Sequence, residues 1–267
     1  MTTAVRTILL RLAYDGTDFA GYQIQGAERT VQGVLEEALW RLHGHPVRTV
    51  CAGRTDAGVH AVGQYVSFES DHRGIAAGQF APAINSHLPA DVSVSGSWSV
   101  PDGFHAQYDA RLRHYRYYLY VADAILPHRR RFAWRIPETP DPARLNRDAS
   151  ALVGRHDFRS FAARLEDHRT TVREVRYAFF RSRGDTLVFA IGATGFLRRM
   201  VRSIVGTLME RERLRLRGQA PLSSLADLLS SDGHGRAGTT APPWGLFLHD
   251  VDYPDIAVGG GPRGEER

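Results

Sequence analysis

The order of the predicted elements repeats along this chain of 267 residues, and that repeat limits the possible folds more than any other feature. In the first half, apolar runs between turn residues predict strands at residues 6–14, 46–51, 61–68 and 91–100. A helix is predicted after Thr30, a good N-cap residue, and it ends near Gly44. A shorter helix is predicted over residues 75–85. The order is therefore strand, helix, strand, strand, helix, strand.

The same order recurs after residue 103, with strands predicted at residues 112–121, 171–181, 186–193 and 246–253. A helix is predicted to begin at Asp141 and Pro142, because aspartate caps a helix and proline fits its first position. Further helices are predicted over residues 195–213 and 221–229. The repeat indicates an α+β fold made of two similar ferredoxin-like (split βαβ) halves. These would form a mixed, largely antiparallel sheet with helices on one face and a basic cleft on the other.

We expect the N-terminal half to span residues 1–103 and the C-terminal half to span residues 104–253. Residues 254–267 are predicted to be a disordered tail, because the end of the chain lacks apolar residues. Residues 126–135 interrupt the second half and contain three consecutive arginines beside aromatic residues. Such a segment could grip an RNA backbone or could be a solvated basic loop.

Composition excludes several classes of chemistry. Cys51 is the only cysteine, so the chain forms no intrachain disulfide and no multi-cysteine metal site. The 12 histidines show no spacing typical of metal ligands, and we expect no metal. All 34 basic residues are arginine, which excludes lysine Schiff bases and lysine-dependent phosphate loops.

Charge and hydropathy indicate the compartment and the partner. The net charge is +5 with a pI near 9.6, and arginine both pairs with phosphate and stacks on bases, so an anionic partner is favoured. The sequence contains no apolar run long enough to cross a bilayer and no signal-peptide pattern. We therefore expect a cytoplasmic protein that does not contact a membrane.

A glycine-bounded loop between two predicted strands carries one carboxylate. Residues 51–60 read Cys-Ala-Gly-Arg-Thr-Asp-Ala-Gly-Val-His, in which Gly53 and Gly58 permit a tight excursion that presents Asp56. On its own this pattern favours a structural turn, with the carboxylate accepting backbone N–H bonds, because turn aspartates are common and catalytic ones are rare. The loop alone therefore does not establish a function.

Residues 52–60 resemble the signature loop of the tRNA pseudouridine synthase A family. Other family motifs recur in the family's order, so that the resemblance covers the chain from about residue 6 to residue 253. They are Tyr14-Asp15-Gly16, Gly21-Tyr22-Gln23, Val31-Gln32, Phe104-His105-Ala106, Tyr115-Arg116-Tyr117, residues 196–202 and Gly245-Leu246-Phe247-Leu248.

The resemblance implies an isomerase that converts uridine to pseudouridine at positions 38 to 40 of the tRNA anticodon arm. It further implies a homodimer that needs no cofactor and no metal. By motif match, Asp56 is the nucleophile, Arg54 flips or holds the target nucleotide, Tyr115 packs against the uracil, and Arg202 pairs with Asp56. A nearby arginine favours the charged form of such a carboxylate.

Three further residues are expected to contact the substrate, namely Leu246, Arg199 and His60. The chain departs from the family's usual pattern at Tyr22, where tryptophan is common, at Gln107, where arginine is frequent, and at Arg199, where a neutral residue or histidine is frequent. The first two departures lie at expected RNA contacts, so they bear on RNA affinity more than on activity.

Alternatives remain at this point. A sibling synthase could act on another RNA or another tRNA position, and an RNA-binding or chaperone protein would use the basic cleft without chemistry. A hydrolase would need Asp56 together with a histidine such as His60 or His105. Trp40 lies off the apolar stripe of its predicted helix, as either an interface residue or an edge-packing residue.

Overall fold

The computed structural model describes residues 5–163, 165–167, 169–221, 223–230, 237–254 and 256. Most of the predicted tail at 254–267 therefore lies outside the described residues. The elements of the first half are β1 (Arg6–Tyr14), α1 (Val31–His43), β2 (Thr49–Cys51), β3 (His60–Ser70), α2 (Phe80–Asn85) and β4 (Val92–Val100). Those of the second half are β5 (Leu112–Val121), β6 (Trp134–Ile136), α3 (Pro142–Ser150), β7 (Gly154–Asp157), β8 (Val172–Arg183), β9 (Thr186–Ala193), α4 (Met200–Leu216), α5 (Leu225–Leu228) and β10 (Leu246–Asp252).

The strands form one ten-stranded sheet in the order β4-β1-β3-β10-β5-β9-β8-β7, with β2 paired to β3 and β6 paired to β5. The first half thus has the order β4-β1-β3-β2, and the second half repeats it as β10-β5-β9-β8. Neighbouring strands are antiparallel except for the pairs β3–β10 and β5–β6. The predicted α+β class and the mixed, largely antiparallel sheet are confirmed.

Strands β2 and β10 both pair with the same edge of β3, at different ends of it, and this arrangement positions the loop of Asp56. Strand β2 pairs with the C-terminal part of β3, where Cys51 faces Val66, while β10 pairs with its first residues, His60 and Ala61. Between them, a Cβ atom on Gly63 would lie 2.3 Å from the His249 carbonyl oxygen. A glycine is needed there, because β3 and β10 approach too closely for any side chain. The β2–β3 loop therefore emerges where the two halves meet.

The helices lie where the local signals of the sequence predict them, but α2, α4 and α5 are shorter at one or both ends than predicted. The Thr30 hydroxyl accepts from the Gly33 N–H at 3.2 Å, and Gly44, with φ of 76°, ends α1 as predicted. Helix α4 begins at Met200 and not at residue 195, because Arg199 has a left-handed φ of 60°. The predicted helix over 221–229 is also shorter, since α5 covers only Leu225–Leu228 after its capping residue Ser224.

Helices α1 and α2 contact each other, and α3 packs against both β8 and α4. Beneath them, one continuous hydrophobic core runs through both halves and includes Leu12 and Leu35 from the first and Tyr117 and Leu248 from the second. Strands β6 and β7 were not predicted from the sequence. β6 lies at the end of the segment predicted as an insertion and pairs with β5.

Candidate active site

Side chains and backbone of the first half hold the loop of residues 52–59. The buried Thr55 hydroxyl lies 2.8 Å from the Tyr14 hydroxyl, and the Thr55 carbonyl accepts from the Tyr22 N–H at 3.1 Å. The Gln64 amide donates to the Gly53 carbonyl at 2.5 Å. The loop is therefore anchored immediately before Asp56, which restricts the position of its carboxylate.

Gly21 makes one of these anchors possible. Its φ is +110°, and a Cβ atom at this position would lie 2.9 Å from the Thr55 carbonyl oxygen. A side chain here would combine an unfavourable backbone conformation with a contact against main-chain atoms that cannot rotate away. The close approach of residues 21 and 22 to the loop therefore requires glycine.

Asp56 and Arg202 meet across the two halves, although 146 positions separate them in the sequence. Arg202 Nη1 lies 3.0 Å from Asp56 Oδ2, while Arg202 Nε donates to the Ala241 carbonyl at 2.9 Å. The Arg202 side chain is 13% exposed and that of Asp56 is 24% exposed. Water therefore screens the pair only in part, and the guanidinium is held by two different nitrogens.

Tyr115 lies on β5 beneath the loop, since a Cβ atom on Gly53 would be 3.9 Å from the Tyr115 hydroxyl oxygen. Its ring is 7% exposed and packs edge-on against Phe196, with 5.0 Å between ring centroids. Burial raises the pKa of Tyr115 above its ordinary value, and the nearby Asp56 charge adds to the effect. The phenol is therefore protonated at neutral pH.

The other predicted contacts are placed differently. Leu246 is buried and pairs with Tyr117 in the sheet, whereas Leu248 is the residue opposite Tyr115. Arg54 is exposed on the loop itself, and Arg199 is exposed immediately before α4. Both arginines are thus accessible to an anionic substrate, while Leu246 is buried in the sheet and its contact with substrate stays a prediction.

His60 is fully buried, with 0% of its side chain exposed. Its Nδ1 accepts from the Gly16 N–H at 3.0 Å, and its Nε2 lies 2.9 Å from the Arg131 carbonyl, so a neutral ring donating from Nε2 satisfies both. Burial lowers the pKa of His60, which favours that neutral form. In this arrangement the ring ties the loop to residue 131, and its predicted contact with substrate stays a prediction.

The arginine-rich segment at 126–135 is partly engaged within the protein. Arg129 pairs with Asp185 at 2.9 Å, whereas Arg130 and Arg131 line a cavity of about 530 Å³ together with Trp134 and Trp244. The structure is compatible with either predicted role of the segment, RNA contact or solvated loop.

Several residues that position the site were not identified as such from the sequence. Gln64 and Arg113 are examples, because Arg113 donates to the Ala52 carbonyl from 61 residues away. Among the described residues, no three His, Cys, Asp or Glu side chains form a group that could hold a metal ion. Within the same part of the chain, no helix is long and apolar enough to cross a membrane.

Comparison with known proteins gives a consistent result. The family model described as tRNA pseudouridine synthase matches residues 12–109 and 149–254. A protein of Treponema denticola named tRNA pseudouridine synthase A is 42% identical over 94% of this chain and 94% of its own length. Proteins of the same name from Halalkalibacterium halodurans and Shouchella clausii are 41% and 40% identical over 91% of this chain, covering 91% and 92% of their own lengths.

Proposed function

The chain belongs to the tRNA pseudouridine synthase family, and from this premise we propose that it acts at positions 38 to 40 of the tRNA anticodon arm, with Asp56 as the nucleophile. As a member of this family it isomerises uridine in tRNA to pseudouridine. The observation that carries the finer proposal is the contact between Asp56 and Arg202, on a loop whose Gly53 lies near the Tyr115 hydroxyl.

The reaction sets clear chemical requirements. The bond between uracil N1 and ribose C1′ breaks, a bond between uracil C5 and C1′ forms, and the C5 hydrogen leaves as a proton while N1 gains one. No electron is transferred to an outside group and no outside atom is incorporated, so the reaction needs no cofactor. An ionised carboxylate that forms a covalent adduct with the substrate is sufficient as nucleophile.

The geometry supports Asp56 in this role. Arg202 contacts Oδ2 of Asp56, so we assign Oδ1 as the attacking oxygen. The positive charge of Arg202 stabilises the carboxylate before attack and orients it toward the substrate. The carboxylate could react in three ways: by attack on C1′, by attack on the uracil ring, or by first abstracting a proton to form a glycal. All three use Asp56.

The remaining residues bind the flipped nucleotide in this proposal. The Tyr115 ring and Leu246 pack against the uracil, and the exposed Arg54 occupies the space that the flipped nucleotide leaves. Stacking and this replacement offset an unstacking cost of a few kcal/mol. Arg199 contributes a phosphate contact at the edge of the site, which is a salt-dependent and sequence-independent interaction.

We also propose that the enzyme is cytoplasmic and that its two halves divide between residues 103 and 104.

We further propose that the enzyme is a homodimer. Trp40, which is 51% exposed on α1, supports a dimer interface at α1, because large aromatic residues are enriched in interface cores. Sedimentation of the purified protein at micromolar concentration measures the mass of the assembly directly.

The test of the catalytic proposal uses undermodified tRNA and chemical labelling that maps each pseudouridine. We expect product at positions 38 to 40 with the wild-type protein, and a loss of at least about a thousand-fold in rate with Asp56→Ala and Asp56→Asn. Full turnover by Asp56→Asn would exclude Asp56 as the nucleophile. RNA binding without any product from the wild-type protein would instead support the binding-only alternative.

A further inference from the structure

A cavity of about 530 Å³ opens beside the end of the Asp56 loop. Three separate segments build its wall: the turn after β1 contributes Thr17, residues 125–135 contribute most of the surface, and the turn before β10 contributes Trp244. Sites for small ligands typically have volumes of about 300–1,000 Å³. The cavity is therefore large enough for one base of a nucleic acid.

Two of these segments pack directly against the loop. A Cβ atom on Gly58 would lie 2.9 Å from Cγ of Pro243, in the turn before β10. A Cβ atom on Gly16, in the turn after β1, would lie 2.0 Å from the Val59 carbonyl oxygen. The cavity wall and the loop backbone are therefore in contact at the second and third residues after Asp56.

The turn before β10 also holds the partner of Asp56. Arg202 Nε donates to the Ala241 carbonyl at 2.9 Å, and Arg202 Nη1 lies 3.0 Å from Asp56 Oδ2. Trp244 follows Ala241 by three residues, which span at most about 11 Å. A base on Trp244 and a uridine at Asp56 therefore lie within the reach of one short RNA segment.

The cavity presents exposed aromatic surface. Trp244 is 40% exposed, Ile125 is 64% exposed, and Trp134 is half-buried. The Trp134 ring packs edge-on against Tyr117, with 6.3 Å between ring centroids. Aromatic side chains stack on unpaired bases, and the interaction accepts any base because every base has a π face. The exposed ring of Trp244 therefore offers a stacking surface for an unpaired base.

Two arginines of the wall are accessible to an anionic ligand, since both Arg130 and Arg131 are exposed. Within the described part of the chain, the Arg130 side chain forms no ion pair and no hydrogen bond, and Arg131 lies 4.0 Å from the Asp18 carboxylate. The carbonyl oxygen of Arg131 lies 2.9 Å from His60 Nε2, which ties this part of the wall to the loop. Because exposed ion pairs are weak, both guanidinium groups are available to phosphate.

The charge of the wall favours RNA over a second copy of this chain. Three of the described residues that line the cavity are arginines, and none of them is acidic. Two copies that met through this face would place like charges opposite each other, which is unfavourable. An RNA strand supplies both a neutral base for the tryptophan and anionic phosphates for the arginines.

We propose that this cavity binds an unpaired base of the tRNA near the target uridine, stacked on Trp244, with Arg130 and Arg131 at the flanking phosphates. This subsite rests on the proposed function, because it assumes that the RNA strand at Asp56 continues past the loop. Since stacking accepts any base, the subsite selects an unpaired nucleotide at a fixed distance from the target and not the identity of that nucleotide.

The test measures the coupling between Trp244 and one base. tRNAs with uridine at only one of positions 38 to 40 are assembled by ligation, each with a single abasic nucleotide within three positions of that uridine. Equilibrium binding is measured for Asp56→Asn with and without Trp244→Ala. We expect Trp244→Ala to weaken binding of intact tRNA about ten-fold, and to have no effect on the tRNA that is abasic at one particular position.

Two further variants of Trp244 separate stacking from folding. Trp244→Phe keeps an aromatic ring and should retain most of the affinity for intact tRNA. Trp244→Leu keeps apolar bulk without a ring and should show the same dependence on the abasic position as Trp244→Ala. Exchanging the base at that position for any other base should change the affinity of Asp56→Asn by less than about three-fold.

Two controls test the specificity of the coupling. Trp40→Ala removes another exposed tryptophan, 51% exposed on α1, and should affect intact and abasic tRNAs equally. Arg130→Gln removes a charge but no stacking surface. It should reduce the salt dependence of binding by about one counterion for intact and abasic tRNAs alike.

Equal effects of Trp244→Ala and Trp244→Leu on the intact and every abasic tRNA, or no effect on any of them, would overturn the subsite. A changed mass of the assembly on sedimentation of Trp244→Leu, without coupling to a base, would assign the cavity to a contact between protein copies. Pseudouridine formation by the wild-type protein on the intact tRNA is measured in parallel. If no product forms there, the proposed function fails independently of the result for the subsite.

Discussion

At the scale of single residues, Arg202 has two tasks that one side chain performs with different nitrogens. Its Nη1 contacts Asp56, and its Nε donates to the Ala241 carbonyl, which keeps the guanidinium in place. Lysine carries the same charge but cannot form this fork of two bonds. We therefore expect Arg202→Lys to lower kcat by about 10- to 100-fold, corresponding to roughly 1.4 to 2.7 kcal/mol, with a smaller change in tRNA affinity.

Single-turnover kinetics on tRNA together with a binding measurement separate these two quantities. The matched control is Arg211→Lys on the same helix, because Arg211 pairs with Asp148 at 3.1 Å and not with Asp56. This control should lower stability and leave kcat unchanged. An unchanged kcat for Arg202→Lys would show that the Ala241 bond does not orient the catalytic pair.

The residues of the site were predictable from the sequence to different degrees. Asp56, Arg54, Tyr115 and Arg202 were identified through motifs, and the structure brings the loop, the strand and the helix edge that carry them to one place. The hydrogen bonds that Gln64 and Arg113 donate to the loop could not be predicted from any local pattern. They depend on side chains from other parts of the chain, and pattern rules do not describe those contacts.

At the scale of elements, helix boundaries were predicted correctly where the signal and the boundary are neighbours in the sequence. Thr30 and Gly44 delimit α1 because a cap and a left-handed glycine act on adjacent backbone groups. The predicted start of α4, at residue 195, was wrong because the apolar pattern of the helix continues backwards through Phe196 and Leu197. There Phe196 packs against Tyr115, and the left-handed Arg199 delays the helix until Met200.

The position of the Asp56 loop depends on the segment that connects β1 to α1, which contains none of the predicted catalytic residues. We expect Gly21→Ala to destabilise the protein by about 1–3 kcal/mol, because alanine at φ of +110° is strained and its Cβ would press on the Thr55 carbonyl. The displaced loop should also lower kcat/KM by about ten-fold or more, since small misplacements of catalytic groups are costly.

Denaturant unfolding and steady-state kinetics measure both effects. Gly103→Ala provides the comparison, because Gly103 also has a positive φ, of 81°, but a Cβ there would meet no atom within 4 Å. That variant should lose stability and retain full kcat/KM. If Gly21→Ala were destabilised but equally active, the approach of residue 21 would support the fold only.

At the scale of the whole molecule, the parallel pairing of β3 with β10 joins the two halves and the core continues through it. His249 belongs to β10, and its carbonyl lies against Gly63. Burial, followed by the charge of Arg116, lowers the pKa of the His249 imidazole from 6.5 to about 4, while Asp250 opposes the shift and His114 and Arg11 add to it. Folding therefore favours the neutral ring.

The sign of the pH dependence follows from this shift. A histidine whose pKa is lower in the folded state contributes stability that is fully present above its ordinary pKa and is lost as the pH falls from about 6.5 toward 4. In that window the unfolded chain binds up to about one more proton at this position than the folded protein. We expect His249→Gln to remove that proton uptake, so that its free energy of unfolding falls less steeply between pH 7 and pH 5 than that of the wild type.

Urea unfolding at several pH values measures this difference, and His45→Gln is the informative control. The Pro46 carbonyl and the Asp71 carboxylate raise the pKa of His45, so its contribution has the opposite sign: it is present at low pH and is lost as the pH rises. His45→Gln should therefore make the loss of stability toward low pH steeper, or leave it unchanged. Identical slopes for His249→Gln and the wild type would show that the strand joining the halves accommodates the charged ring, and that acid sensitivity arises elsewhere in the molecule.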